Sequence, residues 1–144
     1  MDEVSGKQGS GQVKDDELLT VMADFLEMGH VENIVAMYKQ DPRYYDWTGE
    51  LLTDERFAVR LGVSVLFEYL IEERPAEVGL AVASLVRQLD NPVAWVRGEA
   101  VSVLGIIATL EALEQVRRMV HDPDTQVAEI ARDILSDTDS GPGE

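Results

Sequence analysis

An internal repeat of apolar residues constrains the fold of this chain more than any other feature. Moving the segment 89–104 forward by 31 residues places its apolar positions on those of 120–135, and moving it back by 37 residues does the same over 52–67. The shared positions have relative offsets of 0, 4, 7 and 8, as at Val96, Ala100, Val103 and Leu104. Residues at these offsets lie on one face of an α-helix, so each copy predicts a helix with one apolar side.

The repeat predicts four such helices, which we call the A helices, with further helices between them. The same offsets recur near the N-terminus at Leu18, Met22, Phe25 and Leu26. Apolar residues also keep helical spacing over 76–89 and 110–120, and the 31-residue shift brings these two segments into register. They are predicted B helices, and 31–40 is the candidate for the first one. Gly29 is the predicted stop of the first A helix.

Turn residues separate the units where the repeat requires it. Asp90-Asn91-Pro92 and Asp122-Pro123-Asp124 provide N-cap and turn chemistry before the third and fourth A helices, and Thr53-Asp54-Glu55 takes the same place before the second. No apolar segment combines strand alternation with hairpin turn signals. Inside the third A helix, Gly98 and Gly105 predict the close approach of a neighbouring helix. The predicted fold is therefore all-α.

Composition favours one globular domain between two tails. The chain has 144 residues, of which 45% are apolar, and no cysteine, so disulfides and thiol chemistry are excluded. Residues 1–14 and 136–144 are polar without periodicity and are predicted to be disordered, which leaves 15–135 as the domain. The start is acidic and polar, and the chain contains no long uninterrupted apolar run. A cytoplasmic protein without a membrane segment is therefore expected.

Charge limits the classes of partner. The chain has 12 Lys and Arg against 28 Asp and Glu, a net charge of −16. Such a field repels nucleic-acid phosphates and anionic lipids, and it accelerates encounter with a basic protein surface. The alternative is that the charge serves only to keep the protein soluble.

The repeated segments resemble HEAT repeats, and among them the short HEAT-like repeats also found in phycobilisome lyases. The segment "DNPVAWVRGEAVSVLG" matches the pattern of a turn proline followed by valine and arginine. "TDERFAVRLGVSVL" keeps the Val59-Arg60 pair without the proline, and "DPDTQVAEIARDIL" has Ala128 where arginine is expected. The resemblance covers about 53–135 in detail and 15–52 by helix pattern alone.

This resemblance implies an α-solenoid of antiparallel helix pairs, a HEAT/armadillo-like superhelix of about three and a half repeats whose last A helix is a capping half-repeat. It also implies a ladder of contacts between adjacent units. By position, the acceptors would be Asp54, Asn91 and Asp122, and the donors would be Arg60 and Arg97. These arginines are expected to be structural. An extra short helix containing Leu51 and Leu52, in a three-helix first unit, is an alternative.

Two features are candidates for partner binding. In the connector 41–52, the aromatic residues Tyr44, Tyr45 and Trp47 are of the kind that anchor interfaces, although they could instead cover the core. On the exposed side of the B helices, Arg87, Gln88, Arg117 and Arg118 form a basic stripe, which could equally be an ordinary solvated face.

No constellation of residues in the sequence indicates catalysis. His30 and His121 have no second histidine at metal-ligand spacing, and no serine or threonine has a neighbouring base. We therefore predict a non-catalytic protein–protein interaction module, an adaptor, regulator or assembly factor, without metal or cofactor and acting as a monomer. The partner is predicted to be a protein with a basic surface. The alternative is an accessory subunit or lyase-like factor for cofactor attachment, which a visible absorbance of the purified protein would reveal.

Overall fold

The computed structural model describes residues 2–139, with side chains from residue 14 to residue 138. Within these residues the α-helices are α1 (Asp2–Glu27), α2 (Val31–Gln40), α3 (Thr48–Leu51), α4 (Phe57–Glu73), α5 (Val82–Gln88), α6 (Ala94–Ile107), α7 (Leu110–Arg117) and α8 (Thr125–Asp139). Two short 3₁₀ helices, Pro42–Trp47 and Val78–Ala81, precede α3 and α5. The described residues contain no strand, so the all-α prediction is confirmed. None of the helices within 2–139 is both long and apolar enough to cross a membrane.

Seven of the described α-helices fall within or overlap the segments predicted as A and B helices. The A helices are α1, α4, α6 and α8, and the B helices are α2, α5 and α7. Helix α1 ends at Glu27, just before the predicted stop at Gly29, which has a φ of 86°. The His30 N–H donates to the Phe25 carbonyl at 2.9 Å and the Gly29 N–H to the Leu26 carbonyl at 3.1 Å, the pattern of a helix closed by a left-handed glycine.

Helices α1 and α8 extend into the segments that the sequence predicts as tails. Helix α1 begins at Asp2 and α8 ends at Asp139. The division of the chain at residues 14 and 136 stays a prediction, and residues 1 and 140–144 lie outside the described residues.

The A helices pack side by side in chain order. Helix α4 contacts α1 and α6, and α6 contacts α8, while α2 packs on α1 and α4, and α5 and α7 pack on α6. Burying a leucine-sized side chain stabilises the fold by about 1.5–3 kcal/mol. The largest fully buried side chains are Tyr38, Tyr45, Phe67, Met22, Leu26, Ile34, Leu51, Leu52, Leu66, Leu70, Leu85 and Leu104.

The two glycines of α6 face α8 differently. A Cβ on Gly105 would lie 2.6 Å from Ile134 Cδ1 and 2.9 Å from its Cγ1, so a side chain at this position would force the Ile134 side chain to move. A Cβ on Gly98 would lie 3.5 Å from Ile130 Cδ1 and 3.7 Å from Val127 Cγ2, which are ordinary contacts. The predicted close approach therefore holds at Gly105, whereas Gly98 lies where the two helices are further apart.

Candidate functional site

The aromatic residues of the connector lie mainly in the core. Tyr45 is fully buried and Tyr44 nearly so. The ring of Tyr45 meets that of Tyr38 edge-on at 4.9 Å between centroids and that of Phe67 at 6.2 Å. Tyr44 and Tyr45 thus lie where the alternative interpretation, a cover for the core, places them, and their role in partner binding stays a prediction. Aromatic side chains bury a large apolar area, so a connector that contains several of them is stabilised when its rings pack into the core.

Polar contacts hold the connector against α2 and α5. The Thr48 hydroxyl donates to the Tyr45 carbonyl at 2.8 Å, so the Tyr38 hydroxyl, 2.9 Å away, must donate to Thr48 Oγ1. The Gly49 N–H donates to Ser84 Oγ at 2.7 Å, and a Cβ on Gly49 would come within 2.4 Å of the Ser84 carbonyl oxygen. Only glycine allows α3 to approach α5 this closely. The short helix that carries Leu51 thus forms as the sequence alternative suggested.

The Tyr45 hydroxyl is an exception among these satisfied groups. It is buried and has no hydrogen-bond partner within residues 14–138, and the same holds for Glu77 Oε1. Burial, together with the charge of Glu77, raises the pKa of Tyr45 to about 12. The hydroxyl therefore stays protonated at neutral pH.

Trp47 and Arg87, one from each candidate binding feature, line the same recess. Trp47 is half-buried, and the open recess of about 380 Å³ is completed by Asp15, Asp16, Leu19, Asp46 and Glu50. Within it, Arg87 Nη2 donates to Asp46 Oδ1 at 3.2 Å and to the Asp46 carbonyl at 3.3 Å. The recess has more carboxylates than cations, so it favours a cationic group over an anionic one.

The predicted basic stripe on the B helices is largely neutralised. Besides Arg87, Arg118 lies 3.6 Å from Asp90 and donates to Gln115 at 2.7 Å. Gln88 accepts from the Asn91 amide at 3.0 Å. Arg117 is exposed and makes no ion pair with any residue of the described chain. Two of the three arginines of the stripe thus have a carboxylate partner and Arg117 has none within the described residues, and the role of the stripe in partner binding stays a prediction.

The predicted ladder residues make equivalent local contacts in successive units. The side chains of Asp54, Asn91 and Asp122 each accept from the backbone N–H two residues later, at 2.9, 2.8 and 2.8 Å. Arg60 donates to the Asp54 carbonyl at 2.9 Å, and Arg97 donates to the Asn91 carbonyl at 2.9 Å. The loop residue and the arginine six positions later thus hold the same relation in both units.

The contacts between units differ. Arg97 forms a two-pronged bond to Asp122, from Nε and Nη2 to the two carboxylate oxygens at 2.9 Å each, and this bond lowers the pKa of Asp122. Arg60 instead reaches Glu99 on α6 at 3.0 Å. The Asp54 carboxylate pairs with Arg56, which lowers the pKa of Asp54. Of the three proposed acceptors, only Asp122 receives an arginine of another unit through its side chain; Asn91 offers a neutral amide, which competes poorly with a carboxylate.

Large apolar side chains are exposed on two A helices, where the sequence analysis assigned no site. Phe57 and Leu61 on α4 are 62% and 51% exposed, and Trp95 on α6 is 41% exposed. The Arg60 guanidinium carbon lies 4.1 Å from the centroid of the Trp95 ring and 5.5 Å from that of Phe57, so it joins the two rings. Leu61 lies one turn after Phe57 on the same side of α4. We call Phe57, Leu61 and Trp95 the apolar patch.

A groove continues the apolar patch between α6 and α8. It has a volume of about 350 Å³ and is lined by Ala94, Trp95, Gly98, Glu99, Ser102, Asp124, Gln126, Val127 and Ile130. Gly98, which has no side chain, is one of the residues that line it. A signal for this surface exists in the sequence, since Phe57, Leu61 and Trp95 are large apolar residues that fall outside the 0, 4, 7 and 8 offsets of the core face.

The histidines do not assemble a metal site. His30 packs against the Phe25 ring at 5.8 Å between centroids. No group of three or more potential histidine, aspartate or glutamate ligands is close enough to hold a metal ion in the part of the chain that is described.

No protein-family model matches this chain, and neither does any curated protein or solved structure with which it was compared.

Proposed function

We propose that this chain is a HEAT-like α-solenoid that serves as a non-catalytic protein–protein interaction module, an adaptor, regulator or assembly factor of the cytoplasm. It acts as a monomer and binds a protein whose contact surface is basic.

Two features support the solenoid. Successive A helices pack on one another in chain order, and the loops before α4 and α6 repeat the same arginine-to-carbonyl contact. A terminal capping helix requires a polar outer face. The outward residues of α8 are polar and exposed: Glu129, Arg132, Asp133 and Asp137.

The apolar patch is the observation that carries the interaction function. Exposure of phenylalanine, leucine and tryptophan side chains to water is unfavourable, and a partner that covers them gains free energy. Clusters of such side chains on a folded surface mark interaction sites. Tryptophan in particular contributes strongly to interfaces. Here the residues stand on α4 and α6, which are held by the core, so little conformational entropy is lost when a partner covers them.

The net charge of −16 supports a basic partner. An acidic field increases the rate of encounter with a cationic surface and loses this effect when salt screens it. The apolar contact then provides the affinity that remains at high salt.

Affinity capture from native cell extract tests this function. The tagged chain is incubated with extract at low and high salt, and an unrelated acidic protein with the same tag and the same net charge serves as the control. We expect a stoichiometric polypeptide, identified by mass spectrometry, that the control does not retain and whose capture is faster at low salt. Light scattering on the free chain is expected to give the mass of one chain. If the chain retains only what the acidic control retains, the proposal fails.

A further inference from the structure

We propose that the partner presents a basic amphipathic helix, which lies across the apolar patch and inserts one large apolar side chain into the groove between α6 and α8. This inference rests on the proposed function and specifies its partner.

The spacing of the apolar patch fits a helical ligand. Phe57 and Leu61 are four residues apart on α4, and Trp95 stands on the adjacent helix α6. An amphipathic helix presents apolar side chains at i, i+3, i+4 and i+7 along one stripe, and such a stripe can contact exposed side chains of two neighbouring helices at once. Arg60 fixes the rings of Phe57 and Trp95 in place before the ligand arrives.

The groove gives the ligand an anchor point. Its volume of about 350 Å³ is enough for one large side chain, with the Trp95 ring on one side and Val127 and Ile130 on the other. Gly98 leaves room for at least a methyl group. Anchors of this kind, where one side chain fills a pocket next to an aromatic ring, dominate the affinity of many interfaces.

The charges around the patch select a basic ligand. The nearby arginines are already compensated, because Arg56 pairs with Asp24, Glu27 and Asp54, and Arg60 pairs with Glu99. In contrast, Asp124 lines the groove, Glu55 precedes Phe57 by two residues, and Glu68 lies two turns after Leu61 on the same side of α4; none of these carboxylates forms an ion pair with residues 14–138. A ligand that reaches the patch therefore meets carboxylates, and lysine or arginine beside its apolar stripe would pair with them.

The same charges disfavour the other occupants of an apolar surface. Two copies of this chain would each bring a net charge of −16, so self-association through the patch is opposed by repulsion. An anionic membrane surface is repelled in the same way. A cationic polypeptide is the occupant for which charge and apolar contact act together.

Tryptophan fluorescence with synthetic peptides tests the proposal. In a Trp47→Phe background, Trp95 is the only indole, since the chain has 2 tryptophans. The probe, which we call the striped peptide, has about 18 residues, with leucine at i, i+3, i+4 and i+7 and lysine elsewhere. It is long enough to form a helix when bound. One control has the same composition in scrambled order, and another replaces every lysine by glutamate.

We expect the striped basic peptide to shift the emission of Trp95 to shorter wavelength and to bind at least about tenfold more tightly than the scrambled peptide, with no binding of the acidic one. Leu61→Gln should weaken binding about tenfold, because an anchor is lost. The matched control is Leu80→Gln, because Leu80 is 54% exposed and Leu61 51%, and Leu80 lies outside the patch. This variant should bind like the parent.

The proposal is overturned if the striped and scrambled peptides bind alike, if Trp95 emission does not change, if both leucine variants weaken binding equally, or if the free chain dimerises through Trp95. If any of these outcomes is found and both leucine variants still capture the natural partner from extract, that partner binds elsewhere. The interaction function then stands, although the proposed helical ligand does not. Should no partner be captured at all, the interaction function itself fails.

Discussion

The connector and the apolar patch contain the same arrangement of side chains in opposite orientations. In each, one arginine lies over two aromatic rings: Arg43 at 5.2 Å from Tyr44 and 5.6 Å from Trp47, and Arg60 at 4.1 Å from Trp95 and 5.5 Å from Phe57. The Arg43 side chain is 54% exposed above rings that are largely buried, whereas the Arg60 side chain is 11% exposed beneath rings that face water.

This difference separates stability from binding. In the connector the arginine is the solvent-facing cover and the rings belong to the core, so changes there should affect folding. In the patch the arginine is held from below by Glu99 and two backbone carbonyls, so the rings are presented outward. Changes to these rings should affect binding with little effect on folding.

Truncation in the connector should have the largest effect on stability. Tyr45→Ala removes a fully buried ring and is expected to lower the free energy of unfolding by about 3–5 kcal/mol, measured by urea denaturation. The control is Tyr45→Phe, which removes only a hydroxyl without a hydrogen-bond partner within the described side chains and should leave stability unchanged or slightly higher. A Tyr45→Ala protein of normal stability that fails to bind would place Tyr45 in the interface instead.

The bond between Arg97 and Asp122 should give a smaller, pH-dependent effect. Asp122→Asn is expected to cost about 1.5–3 kcal/mol at neutral pH, since it weakens charge-assisted bonds. The pKa of Asp122 is lowered in the folded protein, so this stabilisation is present above the ordinary pKa of aspartate and is lost as the pH falls through the lowered pKa. Denaturation curves of parent and variant at a series of pH values should therefore converge in acid. A difference that stays constant would show that the carboxylate charge is not involved.

The two glycines of α6 should respond in opposite directions to the same substitution. Gly105→Ala is expected to cost about 1–3 kcal/mol because the methyl group would overlap Ile134. Gly98→Ala should increase stability by up to about 1 kcal/mol, since alanine favours the helix and the methyl group makes only ordinary contacts. Thermal denaturation measures both. Because the added methyl narrows the groove, Gly98→Ala should also weaken binding of the striped peptide; a stabilised variant with unchanged affinity would argue against use of the groove.

Truncation in the apolar patch should have the smallest effect on stability. Trp95→Ala removes a ring that is 41% exposed and its contact with Arg60, which contributes about 0.5–1 kcal/mol. We expect a loss of about 1 kcal/mol in urea denaturation, together with loss of partner capture. If Trp95→Ala instead unfolds the chain as strongly as Tyr45→Ala does, the two regions do not differ in the way described here.

Periodicity predicted the helices because the positions that face the core recur at fixed offsets. Met22, Val59, Leu104 and Val127 are buried as that pattern requires. Gly29 and Gly105 were also readable, since a left-handed backbone or a close approach leaves few choices other than glycine.

The surfaces could not be read in the same way. Whether Tyr45 faces the core depends on the gap left by α2, α4 and α5, which no local pattern encodes. Arg87 and Arg118 have a basic appearance in the sequence, but their partners Asp46 and Asp90 are identified only by the folded geometry. The apolar patch combines residues 38 positions apart, from Phe57 to Trp95, that are joined only through Arg60.

Site-specific photocrosslinking is the most direct test of the claim that this chain binds a protein through the apolar patch. Benzoylphenylalanine would replace Leu61 in one protein and Leu80 in another, and each would be irradiated in native extract. We predict that position 61 forms an adduct with one polypeptide, whose crosslinked segment is basic and amphipathic, while position 80 forms none. An adduct at position 80 with none at position 61 would contradict the account.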